Sequence, residues 1–380
     1  MSAADDASPA VRTRRLGVIG SFVWDVLHGR DRRSVPIEEW GGITYSLSAL
    51  DAALPDDWDI VPLAMVGNDL LDRAQLFCRG LRRMAPDAAL IGVPYPNNRV
   101  ELRYLDDERR SEHLTGGVPG WTWLGLKPVL DASRLDALYI NLLSGWELDL
   151  ETMQLIRAHF AGPIYCDLHM LVMAVQADGL RTPRPLPNVA AWCACFDVLQ
   201  VNEDEMHLMA PDSMALAATA IAAGVSVLCV TLGKRGAAYF AAPGFERLTD
   251  LPPRRGHNAA LSTSPRGGAG ALGAVRTALV PGVPPRVDGP GDPTGCGDVW
   301  GATHFSRLLA GDMLTEAMGT ANRAASRNVE HRGATGLAHH LRGELSTTCR
   351  PTSACRRHSM KRASSRSSSS SRRSPTARRS

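Results

Sequence analysis

Between residues 135 and 230 the chain alternates short apolar runs with amphipathic ones, and no other feature restricts its fold as much. Residues 135–143, 164–168, 198–201 and 225–230 have the length and apolar content of buried strands. Residues 149–160 and 215–223 instead repeat apolar side chains at helical spacing. Strands separated by helices close into a parallel sheet with helices on both faces, and such sheets bind ligands beyond the C-terminal ends of their strands. Residues 16–21 add a buried strand near the start, and residues 60–66 add another before a helix over 70–84. With 380 residues and 44% hydrophobic content, the chain can bury the core of one large α/β domain or two smaller ones.

The formal charge of +3 hides an asymmetry, because residues 350–380 hold ten Lys and Arg and no acid, leaving the rest of the chain at −7. Nucleic-acid binding is therefore not expected of the folded part. The Arg/Ser-rich tail, 346–380, is too poor in apolar residues to build a core and is expected to be disordered. Residues 1–15 read as a polar extension. No apolar run approaches membrane-spanning length and the start has no signal-peptide core, so the expectation is a cytoplasmic protein without membrane contact. Of eight scattered cysteines only Cys193 and Cys195 lie close together, which points to free thiols in a reducing compartment and not to a zinc site.

Chemistry concentrates in Asp292-Pro293-Thr294-Gly295-Cys296-Gly297-Asp298. Small residues lead directly into Asp298, and Val299, Trp300, Ala302, Phe305, Leu308 and Leu309 follow at helical spacing. A helix N-terminus behind glycines gathers unpaired amides on one point and attracts anions. A carboxylate there suits a base beside a phosphoryl group in transfer, with the amides stabilising charge. It equally suits a helix cap behind a turn. Asn202-Glu203-Asp204-Glu205 follows the strand ending at Val201; it is either a sparse magnesium site or an acid-rich helix start. Thr231-Leu232-Gly233-Lys234-Arg235-Gly236 closes the next strand, but it is not a Walker A loop, since no Ser or Thr follows a Gly-Lys pair. Residues 16–21 lack the Gly-x-Gly-x-x-Gly of a dinucleotide site.

The stretch ending in Asp298, with Gly301-Ala302 after it, resembles the C-terminal signature of the ribokinase-like (PfkB) carbohydrate kinases, D-T-x-G-A-G-D, with Pro293 and Cys296 in place of the commonest residues. Weaker matches follow in the family's order: Gly20-Ser21 with Asp25, Gly41-Gly42, Gly67-Asn68-Asp69, Asn202 with Glu205, Thr231-x-Gly233-x-x-Gly236, and Ala321-Asn322 with Gly333-Ala334. The resemblance spans residues 16–345. It implies an α/β, three-layer fold with a mainly parallel central sheet, helices on both faces and a small β lid from segments 28–40 and 95–115, interrupted by an irregular insertion at 244–291. It stops near Glu344, where relatives add a last helix, so an incomplete domain end is expected.

The same resemblance implies ATP-dependent phosphorylation of a sugar hydroxyl under a lid that excludes water. Asp298 would be the base, and the amides of Gly295, Cys296 and Gly297 the anion hole. Asp25, Gly41, Gly42 and Ser46 would meet the sugar, Ser46 standing where the family usually has Asn. Asn202 and Glu205 would hold magnesium through water and, with Thr231, Gly233, Gly236 and Asn322, place the nucleotide. ATP and Mg2+ are the implied cofactors, with room for a monovalent cation, a small-molecule acceptor and a homodimer. A nucleoside kinase of the same superfamily, or a non-catalytic relative that binds sugar or nucleotide, fits the same motifs.

Overall fold

The computed structural model describes residues 12–28, 35–104, 110–252, 274–287 and 291–343, so the expectations for residues 1–11 and for the tail lie outside the described residues. The frame is an eight-stranded sheet in the order β16 (Arg276–Pro281), β15 (Gly236–Ala241), β14 (Val227–Thr231), β13 (Val198–Asn202), β10 (Ile164–Asp167), β9 (Ala137–Asn141), β1 (Arg14–Ile19) and β4 (Trp58–Leu63). From β14 to β4 the strands run parallel, and β15 and β16 finish the edge antiparallel. The chain winds outward from β1 in both directions. The crevice at the C-terminal ends of β1 and β9 is therefore the place for a ligand.

Alternation along the strands divides the apolar residues between two cores. Leu16 and Val18 of β1 and Tyr139 of β9 face α1 (Ile43–Ala53), α2 (Leu71–Arg79), α8 (Cys296–Leu309), α9 (Leu314–Val329) and α10 (Leu337–Arg342). Ile19, Leu138 and Ile140 face α3 (Trp123–Ser133), α4 (Leu150–His159), α5 (Val189–Cys193), α6 (Glu203–Met209) and α7 (Ser213–Ala223). Each such side chain contributes about 1.5–3 kcal/mol by leaving water. Helices α4 and α7 start where Asp149 and Asp212 accept the Thr152 and Ala215 amides.

A second sheet, in the order β3 (Ile37–Gly42), β2 (Phe22–His28), β7 (Arg99–Tyr104) and β8 (Arg110–Thr115), stands over the crevice as the lid. Its own core is small, built from Val23, Val100, Leu102 and Leu114. Two short pairs complete the sheets: β5 (Met65–Gly67) with β6 (Ile91–Val93), and β11 (Met173–Val175) with β12 (Arg181–Pro183). The β11–β12 turn meets the lid, where the Leu114 amide donates to Gly179 O at 2.9 Å.

Several expectations need correction. The lid begins at Phe22, because the chain leaves the main sheet at Gly20-Ser21, a break hidden inside one apolar run. The first strand starts at Arg14, whose guanidinium pairs with Asp57 at 2.6 Å and covers Trp58, so these residues are not an extension. The segment 244–291 is not irregular throughout: β16 pairs with β15 along its whole length, while residues 253–273 and 288–290 lie outside the described part. The helix expected over 70–84 ends at Arg79, one residue before Gly80. The last described helix, α10, is tied to α1 by Arg342 Nη1 on Asp51 Oδ2 at 2.5 Å, and the expectation about the domain end beyond Glu344 lies outside the described residues. Among the described residues no helix is long and apolar enough to cross a membrane.

Candidate active site

Polar residues end the central strands. Asn141 closes β9, Asp167 closes β10, Asn202 closes β13 and Thr231 closes β14, each after a run of buried apolar residues. Below the lid the ends of β10, β13 and β14 and the first turn of α8 enclose a cavity of about 360 Å³. Asp25, Gly42, Asn202, Glu205, Thr231, Gly233, Gly295, Cys296, Gly297 and Asp298 all line it, so ten of the residues singled out from sequence meet in one place.

Helix α8 has no side-chain cap at its start. Gly295 adopts a left-handed φ of 76°, and a Cβ there would lie 2.3 Å from the Tyr45 ring, so only glycine makes this turn. The Gly295 and Gly297 N–H groups have no acceptor among the described residues, whereas the Cys296 N–H donates to Pro293 O at 3.1 Å and closes the turn. Of the three amides expected to form an anion hole, that of Cys296 is therefore already engaged, and those of Gly295 and Gly297 are not. The Cys296 thiol points away, toward Ala325 O at 3.5 Å and Asn328 Nδ2 at 3.3 Å. Burial raises it to about 11.

Asp298, in the same turn, is buried, and its Oδ1 accepts from Asn141 Nδ2 at 2.5 Å. Burial holds its carboxyl above the usual range, although His169 and the Asn141 bond partly offset this. Ser46 does not line the cavity. It is fully buried beneath Asn141, whose Nδ2 donates to Ser46 Oγ at 3.2 Å, so Ser46 supports the residue that holds Asp298.

Gly41 acts through what it lacks. A Cβ at Gly41 would fall 1.9 Å from Asp25 Oδ2, so this glycine makes the space that the Asp25 carboxylate fills. Asp69, from the Gly67-Asn68-Asp69 match, braces the base of the lid by accepting the Asn97 amide at 2.8 Å and pairing with Arg99 at 2.8 Å.

Asn202 and Glu205 form a reciprocal capping box: the Glu205 N–H donates to Asn202 Oδ1 and the Asn202 N–H to Glu205 Oε2, both at 2.8 Å. Glu205 Oε1 also faces His169 Nδ1 at 3.2 Å. Burial would lower the His169 ring, but Glu205, Asp298 and Asp167 outweigh it and push it up to about 10. Asp167 is held well above the ordinary carboxylate range by burial and by Glu205, and accepts Gln200 Nε2 at 2.8 Å. The same Gln200 nitrogen donates to Gly297 O at 3.1 Å, which joins β13 to the start of α8. Among the described residues no group of three or more His, Cys, Asp or Glu is arranged to hold a metal directly.

Two expected nucleotide residues lie off the cavity. Gly236 (φ 101°) is packed against β16, where a Cβ would meet Val280 O at 2.2 Å. The Asn322 amide accepts from Trp300 Nε1 at 2.7 Å and donates to Val280 O and Pro281 O at 3.1 and 2.9 Å, tying α8, α9 and β16 together. Arg235 pairs with Glu203 on the surface.

Sequence reasoning missed Asn141, Asp167, His169, Gln200, Arg181 and Glu112, all but Asn141 lining the cavity. For Asn141 and Asp167 a signal existed: a polar residue closing an otherwise apolar strand marks the ligand end of a parallel sheet. Arg181 and Glu112 carried none, since both come from short strands of mixed polarity.

No family model and no curated protein matches this sequence. Solved structures do match its fold. Ribokinase from Giardia lamblia superposes with a TM-score of 0.60 at 15% identity, over 87% of this chain and 98% of that one. A pyrophosphate-dependent kinase in the ribokinase family gives 0.59 at 15%, over 84% and 96%. The nucleoside kinase of Burkholderia thailandensis, in complex with inosine, gives 0.55 at 16%, over 85% and 94%. At this identity the likeness speaks for the fold, which is ribokinase-like.

Proposed function

We propose, on the premise of a ribokinase-like fold, that this protein is a phosphotransferase that phosphorylates a hydroxyl of a small carbohydrate acceptor. The observation that carries this reading is Asp298: a buried carboxylate in the first turn of α8, beside two unengaged amides and inside a cavity roofed by a lid. In this reading Asp298 takes the proton of the attacking hydroxyl, and its raised carboxyl makes it a better proton acceptor than an ordinary aspartate. The Gly295 and Gly297 amides meet the charge that gathers on the transferring group. Asp25, its carboxylate seated in the space that Gly41 leaves, receives acceptor hydroxyls. Val23, Val100 and Leu102 of the lid exclude water from the transfer.

ATP with magnesium is the donor that the sequence resemblance implies. Glu205 already accepts from Asn202 N and Nδ2, so the pair suits a magnesium ion held through its own waters better than by direct ligation. Bound there, the ion would neutralise donor phosphates. A monovalent cation also has a fitting place beside the proposed anion hole, where Thr294 Oγ1 and Asn328 Oδ1 are buried without partners among the described residues.

A second reading of the donor has its own support: Asn322, one of the residues expected to place the nucleotide, has its amide committed to Trp300, Val280 and Pro281. That favours a donor without a base, such as pyrophosphate. The test is release of ADP from ATP, and of phosphate from pyrophosphate, with magnesium and a panel of pentoses, hexoses, inositols and nucleosides, with Asp298→Asn as the blank. Acceptor-dependent release that the substitution removes supports the kinase and names donor and acceptor class. Silence across the panel from folded protein would instead favour a binding protein.

A further inference from the structure

Arg181 sits on β12, on the lid side of the cavity, with 8% of its surface exposed. Its Nη1 contacts Glu112 Oε2 of lid strand β8 at 3.3 Å, and its Nη2 donates to Leu143 O, just beyond β9, at 2.8 Å. Its Nε is buried without a partner among the described residues. The guanidinium thus joins three separate elements on the cavity wall, and its Nε, itself buried behind that wall, stays unspent. A buried N–H has lost its water, and the arrangement is satisfied when something else accepts from it. The single Glu112 contact is longer than the 2.7–2.9 Å usual for such pairs, so the pair is not a closed bidentate fork.

We infer that Arg181, with Glu112 and Asp25, is an acceptor-specificity site that reads a neutral cyclic polyol at the end remote from the transferred phosphoryl group. This deepens the proposed function and rests on it. The chemistry follows from what the three residues offer. A hydroxyl both donates and accepts, and here a guanidinium lies against one carboxylate, Glu112, while a second, Asp25, lines the same cavity. A carboxylate or phosphate on the acceptor only accepts, and it would enter a chamber that also holds Asp167, Glu205 and Asp298. Val100, Leu102 and Leu143 supply apolar surface for the C–H faces of a ring.

The experiment uses the full chain carrying Asp298→Asn, so that no turnover intervenes, and calorimetry with ribose, glucose, myo-inositol, their monodeoxy derivatives and glucuronate. Arg181→Lys keeps a cation facing Glu112 but lacks Nε and the fork; the double variant Arg181→Met/Glu112→Gln removes the pair together. The neutral polyol that binds is expected to weaken about 10- to 100-fold in both variants, the loss of one hydrogen bond from a charged donor. Glucuronate is expected to bind worse than glucose. One monodeoxy analogue should bind the parent and Arg181→Lys equally, which a merely structural arginine would not produce. Thermal unfolding checks that each variant is folded, and the lysine variant keeps the test open if the double variant is not. Retained affinity in Arg181→Lys, an equal loss for every analogue, preference for glucuronate, or no polyol binding by the parent would each overturn the inference. Polyol binding with these signatures, but without phosphoryl transfer by the Asp298 protein, would remove the kinase reading and leave the recognition site standing.

Discussion

The floor of the cavity holds its polar groups in a mutually bonded set rooted in the main sheet: Ser46 carries Asn141, Asn141 carries Asp298, and Gln200 ties Asp167 to Gly297. The roof has only a four-residue apolar core and is fastened by separate links: Arg181 to Glu112, Thr335 Oγ1 to Glu39 at 2.6 Å, and Asn98 Nδ2 to Ser144 Oγ at 3.2 Å. A bonded floor fixes the reacting geometry to fractions of an ångström, as phosphoryl transfer requires. A roof tied at a few points can open and can change its lining residues without disturbing that geometry. Under the proposed function, the difference amounts to a division of labour: transfer would belong to the floor, and the choice of acceptor to the roof.

The sharpest way to break this comparison is at Asp298. Asp298→Asn is expected to lower turnover by about two to four orders of magnitude while donor and acceptor binding persist. Because burial raises the Asp298 carboxyl, the acid limb of the rate profile should fall at a higher pH than an ordinary aspartate would give. Steady-state kinetics across pH, beside equilibrium binding, checks both; undiminished turnover would remove Asp298 from the mechanism.

Gly295→Ala drives a Cβ into Tyr45 at a left-handed φ and displaces one amide of the anion hole. A fall in kcat of about 10²–10³ is expected, with KM for the acceptor little changed, since the roof is untouched. If KM moved instead, floor and roof would not be separable.

His304 tests the support beneath the floor. It is fully buried on α8 beside Tyr165 and Trp300, neither ring nitrogen has a partner among the described residues, and burial lowers it to about 3. The folded value lies below the unfolded 6.5, so its contribution is present above pH 6.5 and is lost as pH falls toward 3, about 2 kcal/mol being gone at pH 5. Denaturant titrations of the parent and His304→Phe at pH 7.5 and 5 should show this slope only in the parent.

On the roof, Gly41→Ala pushes the Asp25 carboxylate aside, and acceptor KM is expected to rise about tenfold, the worth of one charged hydrogen bond, with kcat at saturation less affected. The smallest effect belongs to Cys296→Ala. Its thiol makes only long contacts and its amide closes a turn that alanine also makes, so kcat/KM within about threefold of the parent is expected, inside the scatter of a neutral change. A larger loss would show that the thiol takes part.

How much of this was legible in the sequence follows from the range of each interaction. Strand and helix periods are local, so β9, α4, β10, β13, α7 and β14 lie within about two residues of expectation. The turn before α8 was equally legible, because a left-handed residue next to a helix needs glycine whatever surrounds it. The functions given to Ser46 and Asn322 were not legible: each depends on a partner brought near only by folding, Asn141 for Ser46, Trp300 and β16 for Asn322, whereas the Cys296 amide is engaged locally, by Pro293 O three residues back. Arg181 and Glu112 are 69 residues apart, and nothing in their neighbourhoods announces a pair.

The sequence by itself determined a parallel α/β core, a glycine turn that aims a helix start at the strand ends, and a carboxylate placed in that start. These rest on hydrophobic period and backbone sterics, which act between near neighbours. Only the tertiary structure decided which polar groups support Asp298, which amides stay unengaged and which lid residues line the acceptor's end of the cavity. Those depend on burial and on hydrogen bonds between distant segments, whose strength and direction exist only once water has been excluded.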